Sequence, residues 1–239
     1  MHPSAAELLD SATESCLEAA FRTGEYDAAE ELVQLALVRA RADGDRATEA
    51  GALQQLGQLM HFRALDGDPA SADAEAEETL FVEALAIRRE LIDMSGVAES
   101  LYGLGLVNQV LRRDWAAAMP LFREATALAD EHSNALIRSE CHRHLGFYYA
   151  TEAFEPQRAL RHLCISLELR REWGDPRWIP SATFAIGMAT LAAGQQQEGI
   201  DHLRRAVQEA RDAGLSARRV ASIEDWLRRA EAGESPGRG

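Results

Sequence analysis

Along most of this chain, apolar residues recur at helical intervals of three and four. Leu121, Phe122, Ala125 and Leu128 fall on one stripe, and Val220, Ile223, Leu227 and Ala230 form another near the C-terminal end. Turn-forming clusters punctuate these stripes and predict loops at Asp43-Gly44-Asp45, Ser95-Gly96, Ser133-Asn134, Gly174-Asp175-Pro176 and Ala213-Gly214. The pattern is that of an all-α protein.

A longer period underlies the short one. A large apolar residue followed by glycine occurs at Leu56-Gly57, Leu104-Gly105, Leu145-Gly146 and Ile186-Gly187, with the glycines 48, 41 and 41 residues apart. A small residue recurs at Ala36, Ala84, Ala125, Ser166 and Ala206, spaced by 48, 41, 41 and 40, and each of the first four precedes the next landmark glycine by 21. Close helix packing needs small side chains at the crossing, so the interlocking series predict helix pairs in which Gly on one helix faces Ala or Ser on the other. Leu145 and Tyr149 on one helix, and Leu160 and Leu163 on its partner, are expected to fill the flanks. About five such pairs span residues 1–232, with the last stripe as a terminal capping helix. Ala84 follows Gly57 at an offset of 27, where the other copies have offsets of 19 or 20. The excess lies in an acidic insertion at 64–74, expected to be a solvated surface loop, with a mobile flap as the alternative. Residues 233–239 are expected to form a disordered tail.

The repeat resembles the tetratricopeptide family. Its L-G-x-x-Y signature is complete at Leu145, Gly146 and Tyr149, and its A-x-x-x-F element at Ala118 and Phe122. Weaker copies are Ala29 with Val33, Ala159 with Leu163, and Gly199 with Leu203. The chain departs from the common form in its period near 41, its missing closing proline, and Leu17 where the first copy should have Gly. The run Ala84 to Leu91, partly repeated at Arg170-Arg171-Glu172-Trp173, is similar to a longer-period variant common in regulatory and scaffolding modules of bacterial signalling and transcription proteins. The resemblance implies a right-handed α-α superhelical solenoid whose first helices line a concave groove.

Composition narrows the function. All 25 basic residues are Arg, against 39 acidic residues, for a net charge of −14. The absence of Lys removes phosphate-loop, Schiff-base and lysine-base chemistry. The acidity argues against nucleic acid or an anionic membrane as partner. No basic cluster precedes an apolar run near the N-terminus and no stretch has membrane-spanning length, so a cytoplasmic protein is expected. Cys16, Cys141 and Cys164 form no C-x-x-C pair and read as reduced thiols.

Motifs for chemistry are few. No G-x-S-x-G, H-E-x-x-H or G-x-G-x-x-G is present. In Glu140-Cys141-His142-Arg143-His144, the two histidines point about 200° apart on a helix and cannot chelate one metal. Glu140 and His144 share a face, but a third ligand is lacking, so neither metal nor cofactor is expected. His142 is expected to be a hydrogen-bonded core residue.

The faces opposite the landmark glycines give the expected ligand groove. They read Glu14, Glu18, Arg22; Gln54, Gln58, Phe62; Tyr102, Leu106, Val110; Arg143, Phe147, Thr151; and Phe184, Met188, Ala192. The strip runs from polar and acidic to apolar with one Arg. The leading expectation is a non-catalytic binding or scaffold module that takes a peptide or protein. In it, Phe147, Phe184 and Met188 hold apolar side chains, Arg143 meets a carboxylate, and Gln54, Gln58, Tyr102, Leu106, Glu140 and His144 line the remainder. Two alternatives stand beside it. One is a small-molecule receptor or enzyme with a pocket of Tyr102, Glu140, Arg143, His144 and Phe147. The other is a self-assembling structural protein, in which a second copy or the C-terminal helix covers the apolar strip. Arg88 and Arg89 are expected on the outer surface.

Overall fold

The computed structural model describes residues 3–233. Helices account for nearly all of them, and no strand occurs among them. The chain divides into two compact units, one ending at His132 and the next beginning at Ser133.

The first unit contains α1 (Ala5–Glu18), α2 (Asp27–Asp43), α3 (Arg46–Asp66), α4 (Ala74–Glu90), α5 (Met94–Leu106) and α6 (Trp115–His132). Short π-helical turns, Ala19–Thr23 and Val107–Leu111, extend α1 and α5. α1 packs on α2, α3 on α4, and α5 on α6, while the first helices of successive pairs also touch, α1 with α3 and α3 with α5. The second unit contains α7 (Ala135–Thr151), α8 (Pro156–Trp173), α9 (Ile179–Ala192), α10 (Gln196–Asp212) and α11 (Ala217–Glu231). There α7 pairs with α8, α9 with α10, α7 also meets α9, and α11 lies on α10. Five helix pairs and a terminal helix are the architecture the repeat predicts. Of the expected tail, residues 234–239 lie outside the described residues.

Helix starts follow from the sequence. Asp45, Asp73, Asp93, Asp114 and Asn134 each accept a hydrogen bond from the backbone N–H three residues on, at 2.9–3.1 Å. Each thus satisfies one of the N–H groups that a helix leaves without a partner. One expected loop is displaced. Ser95 and Gly96 lie in the first turn of α5, and the turn falls at Leu91–Asp93, because Asp93 takes the cap.

The glycines do a different job from the expected one. A Cβ on Gly57 would sit 2.7 Å from the Phe81 ring, one on Gly146 2.6 Å from Leu163, and one on Gly187 3.0 Å from Leu203. Gly105 meets Phe122 in the same way. Each glycine therefore receives a large side chain, and the small residues one turn later (Ala84, Ala125, Ser166, Ala206) are fully buried beside that knob.

The insertion is largely structured. α3 continues through Ala64, which is buried, to Asp66, and Pro69–Ser71 forms a 3-10 turn before α4. Tyr26 donates a 2.5 Å hydrogen bond to the Asp66 carboxylate. The solvated part is thus shorter than 64–74, because α3 adds turns that pack on the first pair.

Candidate functional site

The first helices of neighbouring pairs touch within each unit, and part of the expected groove stripe is buried. This corrects the expectation of a solvent-facing strip. Gln54, Tyr102, Leu106, Glu140 and His144 are buried, whereas Gln58, Arg143, Phe147, Phe184 and Met188 are half-buried. Tyr102 belongs to the first unit, where its ring lies 6.1 Å from Phe122. Phe184 and Met188 pack against the core cluster of Leu191, Ile200, Leu203 and Ala230, together with Leu227 of the terminal helix. Ala230 and Leu227 of the terminal helix thus share one core cluster with that end of the strip.

In the second unit, α7 and α8 bring together Glu140, Arg143, His144, Phe147 and a residue the groove pattern missed, Arg170. One Glu140 oxygen accepts from Arg170 and the other from Arg143, the latter at 3.2 Å. Arg143 also approaches His144 Nε2 at 3.0 Å. An arginine can only donate, so that contact makes Nε2 the acceptor and places a neutral imidazole's proton on Nδ1. The Arg143 guanidinium lies 5.1 Å from the Phe147 ring centroid, and His144 meets the same ring edge-on at 5.5 Å. Such a cation over an aromatic face is attractive and fixes the guanidinium's direction. Arg170 is fully buried. It also donates to Ser139 at 3.4 Å, to the Trp178 carbonyl at 2.5 Å and to Ser181.

The first unit contains a counterpart. Arg88 is buried rather than on the outer surface: the helix turn that carries Ala84 inward carries Arg88 with it. It donates to Gln54 at 2.8 Å, the Gly96 carbonyl at 2.9 Å, Ser100 at 2.8 Å and Glu99 at 2.6 Å. Gln54 is thus engaged in this network. Arg89 is exposed, as expected. A sequence signal for the pair did exist. Four residues past each small landmark the chain reads Ala40, Arg88, Ala129, Arg170, Ala210, so the two buried arginines stand 82 residues apart, two repeat periods.

Two further polar pairs are built into helix pairs. His61 of α3 meets Glu77 of α4 at 2.9 Å, both buried. His142 Nδ1 meets His162 Nδ1 at 2.9 Å, with ring centroids 5.2 Å apart. Those distances put both nitrogens on the line between the rings, the geometry of a hydrogen bond rather than of two lone pairs converging on a metal. His142 is thereby a hydrogen-bonded, buried residue, as expected. Among the described residues, no three His, Cys, Asp or Glu side chains gather as metal ligands. Cys16 and Cys141 are buried and Cys164 is exposed, and none of the three is in a disulfide. Burial pushes the Cys16 thiol up to about 11, which makes it a poor nucleophile. Among the described residues, no helix is long and apolar enough to cross a membrane.

No family model and no curated protein matches the chain. Among solved structures, the chain is similar to the crystal structure of BtubC (BKLC) from P. vanneervenii, with 17% sequence identity and a TM-score of 0.49 over 95% of this chain and 93% of that one.

Proposed function

We propose that this protein is a non-catalytic, tetratricopeptide-like binding or scaffold module, and that α7 of its second unit recognises an acidic, partly apolar segment of a protein partner. One observation carries the reading. Arg170 and Arg143 converge on the single Glu140 carboxylate, so this trio carries a formal charge of +1 on a chain of −14. Its outer member, Arg143, is held over the half-buried Phe147 ring. A pre-oriented guanidinium beside an aromatic surface suits a carboxylate flanked by an apolar side chain. A small-molecule pocket is less well supported, because Tyr102 packs on Phe122 in the first unit and Glu140 and His144 are buried.

The test is selection from an unbiased peptide array. The expected motif pairs Asp or Glu with a neighbouring large apolar residue. Arg143→Ala and Phe147→Ala should each weaken that capture by about 2 kcal/mol, roughly thirtyfold, while circular dichroism stays unchanged. Arg171→Ala, on exposed surface, should leave it intact. Equal capture by the Arg143 and Phe147 variants would remove the site.

A further inference from the structure

In the first unit, α2 and α4 flank a cleft of about 170 Å³, floored by Leu56, Leu59 and Met60 of α3 and walled by Gln34 and Leu80. Arg63, on the lining, bonds Glu30 at 2.8 Å and Asp27 at 3.0 Å, and further along α2 Arg41 reaches Glu83 of α4 at 3.6 Å. Next to the opening, Leu35 and Val38 form an exposed apolar shoulder on α2, 52% and 65% accessible. Their spacing of three places them on one helical stripe.

We propose that this cleft anchors one large apolar side chain of a cationic amphipathic helix supplied by a partner protein. Size excludes a larger occupant: small-molecule sites run to about 300–1,000 Å³, while this volume suits a single Leu-, Met- or Phe-sized group. The shoulder supplies the adjoining contact that a helix laid along α2 would make at its next turn. Charge selects the partner's sign. Near the opening, Arg63 is paired with Asp27 and Glu30, Arg41 with Glu83, and Glu31 is exposed on α2, a formal −2 over these six residues. A second copy of this chain, at −14, would be repelled where a basic helix is drawn in. The surface is separate from α7 and stands whether or not the acidic-segment reading does; together they describe a scaffold for two partners of opposite charge.

Met60 provides a direct probe, since the chain contains only five methionines. With methyl-labelled methionine, titration of the full chain with a helical Leu/Lys peptide of about eighteen residues should move the Met60 resonance saturably and leave Met119, buried in α6, in place. The matched Leu/Glu peptide should move it far less. Gln34→Trp, at an exposed position on the rim, should fill the opening and weaken binding at least about tenfold. A still Met60 resonance in the wild-type chain, or an equal response to the Leu/Glu peptide, overturns the proposal without reference to any variant. A Met60 shift that grows with protein concentration alone makes a second copy the occupant and overturns it equally.

Discussion

The Arg88 and Arg170 networks occupy the same register in two repeats and differ in how they are closed. Arg88 is matched by one partly exposed carboxylate, Glu99, and by neutral acceptors on α3 and α5. Arg170 is matched by Glu140, whose side chain is only 8% accessible, and Glu140 is then shared with Arg143 at the surface. The first arrangement is a local tie between one helix pair and the first helix of the next. The second makes the same tie and also connects to a partly exposed cation. A buried guanidinium that joins consecutive pairs is therefore a feature of two of the five copies, and the link to the surface is what the second unit adds.

The contrast is broken most directly by removing each arginine. Arg170→Met should destabilise by about 3–5 kcal/mol, because it leaves the Glu140 carboxylate buried beside a lost cation. Arg88→Met should lose about 2–3 kcal/mol, since Glu99 retains water. Adding Glu140→Gln to Arg170→Met should recover part of the loss in chemical denaturation, whereas Glu99→Gln should recover little from Arg88→Met. Equal losses in the two single variants would mean the networks are closed alike.

The landmark glycines sharpen the same comparison at the level of packing. Gly146→Leu should overpack against Leu163 and lose about 1–3 kcal/mol or more in a thermal melt. For the smaller change to Ala, Gly105 should suffer more than Gly146. Phe122 and Leu163 are both fully buried, but a Cβ on Gly105 would come closer to a rigid ring than one on Gly146 would to a Leu163 branch that can change rotamer.

A smaller effect is expected at the corners that close α4 and α8. Ile92 takes φ 57° where the equivalent position two repeats on is Gly174 at 86°, and a β-branched residue is strained there. Ile92 is also 79% exposed, so little packing offsets the strain. Ile92→Gly should stabilise by about 1 kcal/mol, and Gly174→Ile should destabilise by a similar amount, both read as shifts in denaturation midpoint.

Acid should separate the units in time-resolved hydrogen exchange, with the smallest change. Burial, helped by Arg205, holds His202 of α10 below the usual histidine value of 6.5. The unfolded chain takes that proton at a higher pH than the folded one, so the second unit loses protection as pH falls below about 6.5. Burial pushes Glu49 of α3 upward, but hydrogen bonds from Arg41 and Arg46 outweigh it and hold the carboxyl below its usual 4.5. Its contribution is present above 4.5 and is lost at lower pH, as the folded state protonates. The second unit should therefore weaken first, and His202→Gln should remove that earlier step.

The sequence by itself determined the helices, their pairing and the glycine that marks each crossing. Those depend on local propensity, Asp and Asn caps, and a period long enough to be counted along the chain. Even the buried arginines were written in the alternation of Ala and Arg after each small landmark, although nothing in a single helix says that a guanidinium points inward. Only the tertiary structure decided which groove positions stay open. Tyr102, Leu106 and His144 lie on stripes that one helix alone would expose, yet they are buried, Tyr102 against Phe122 of α6. It also decided that glycine receives Phe or Leu rather than Ala, and that Glu140 joins two arginines from different helices. The reason is physical: burial and charge pairing depend on side chains distant in sequence, and periodicity records only the face a helix turns, not what comes to lie against it.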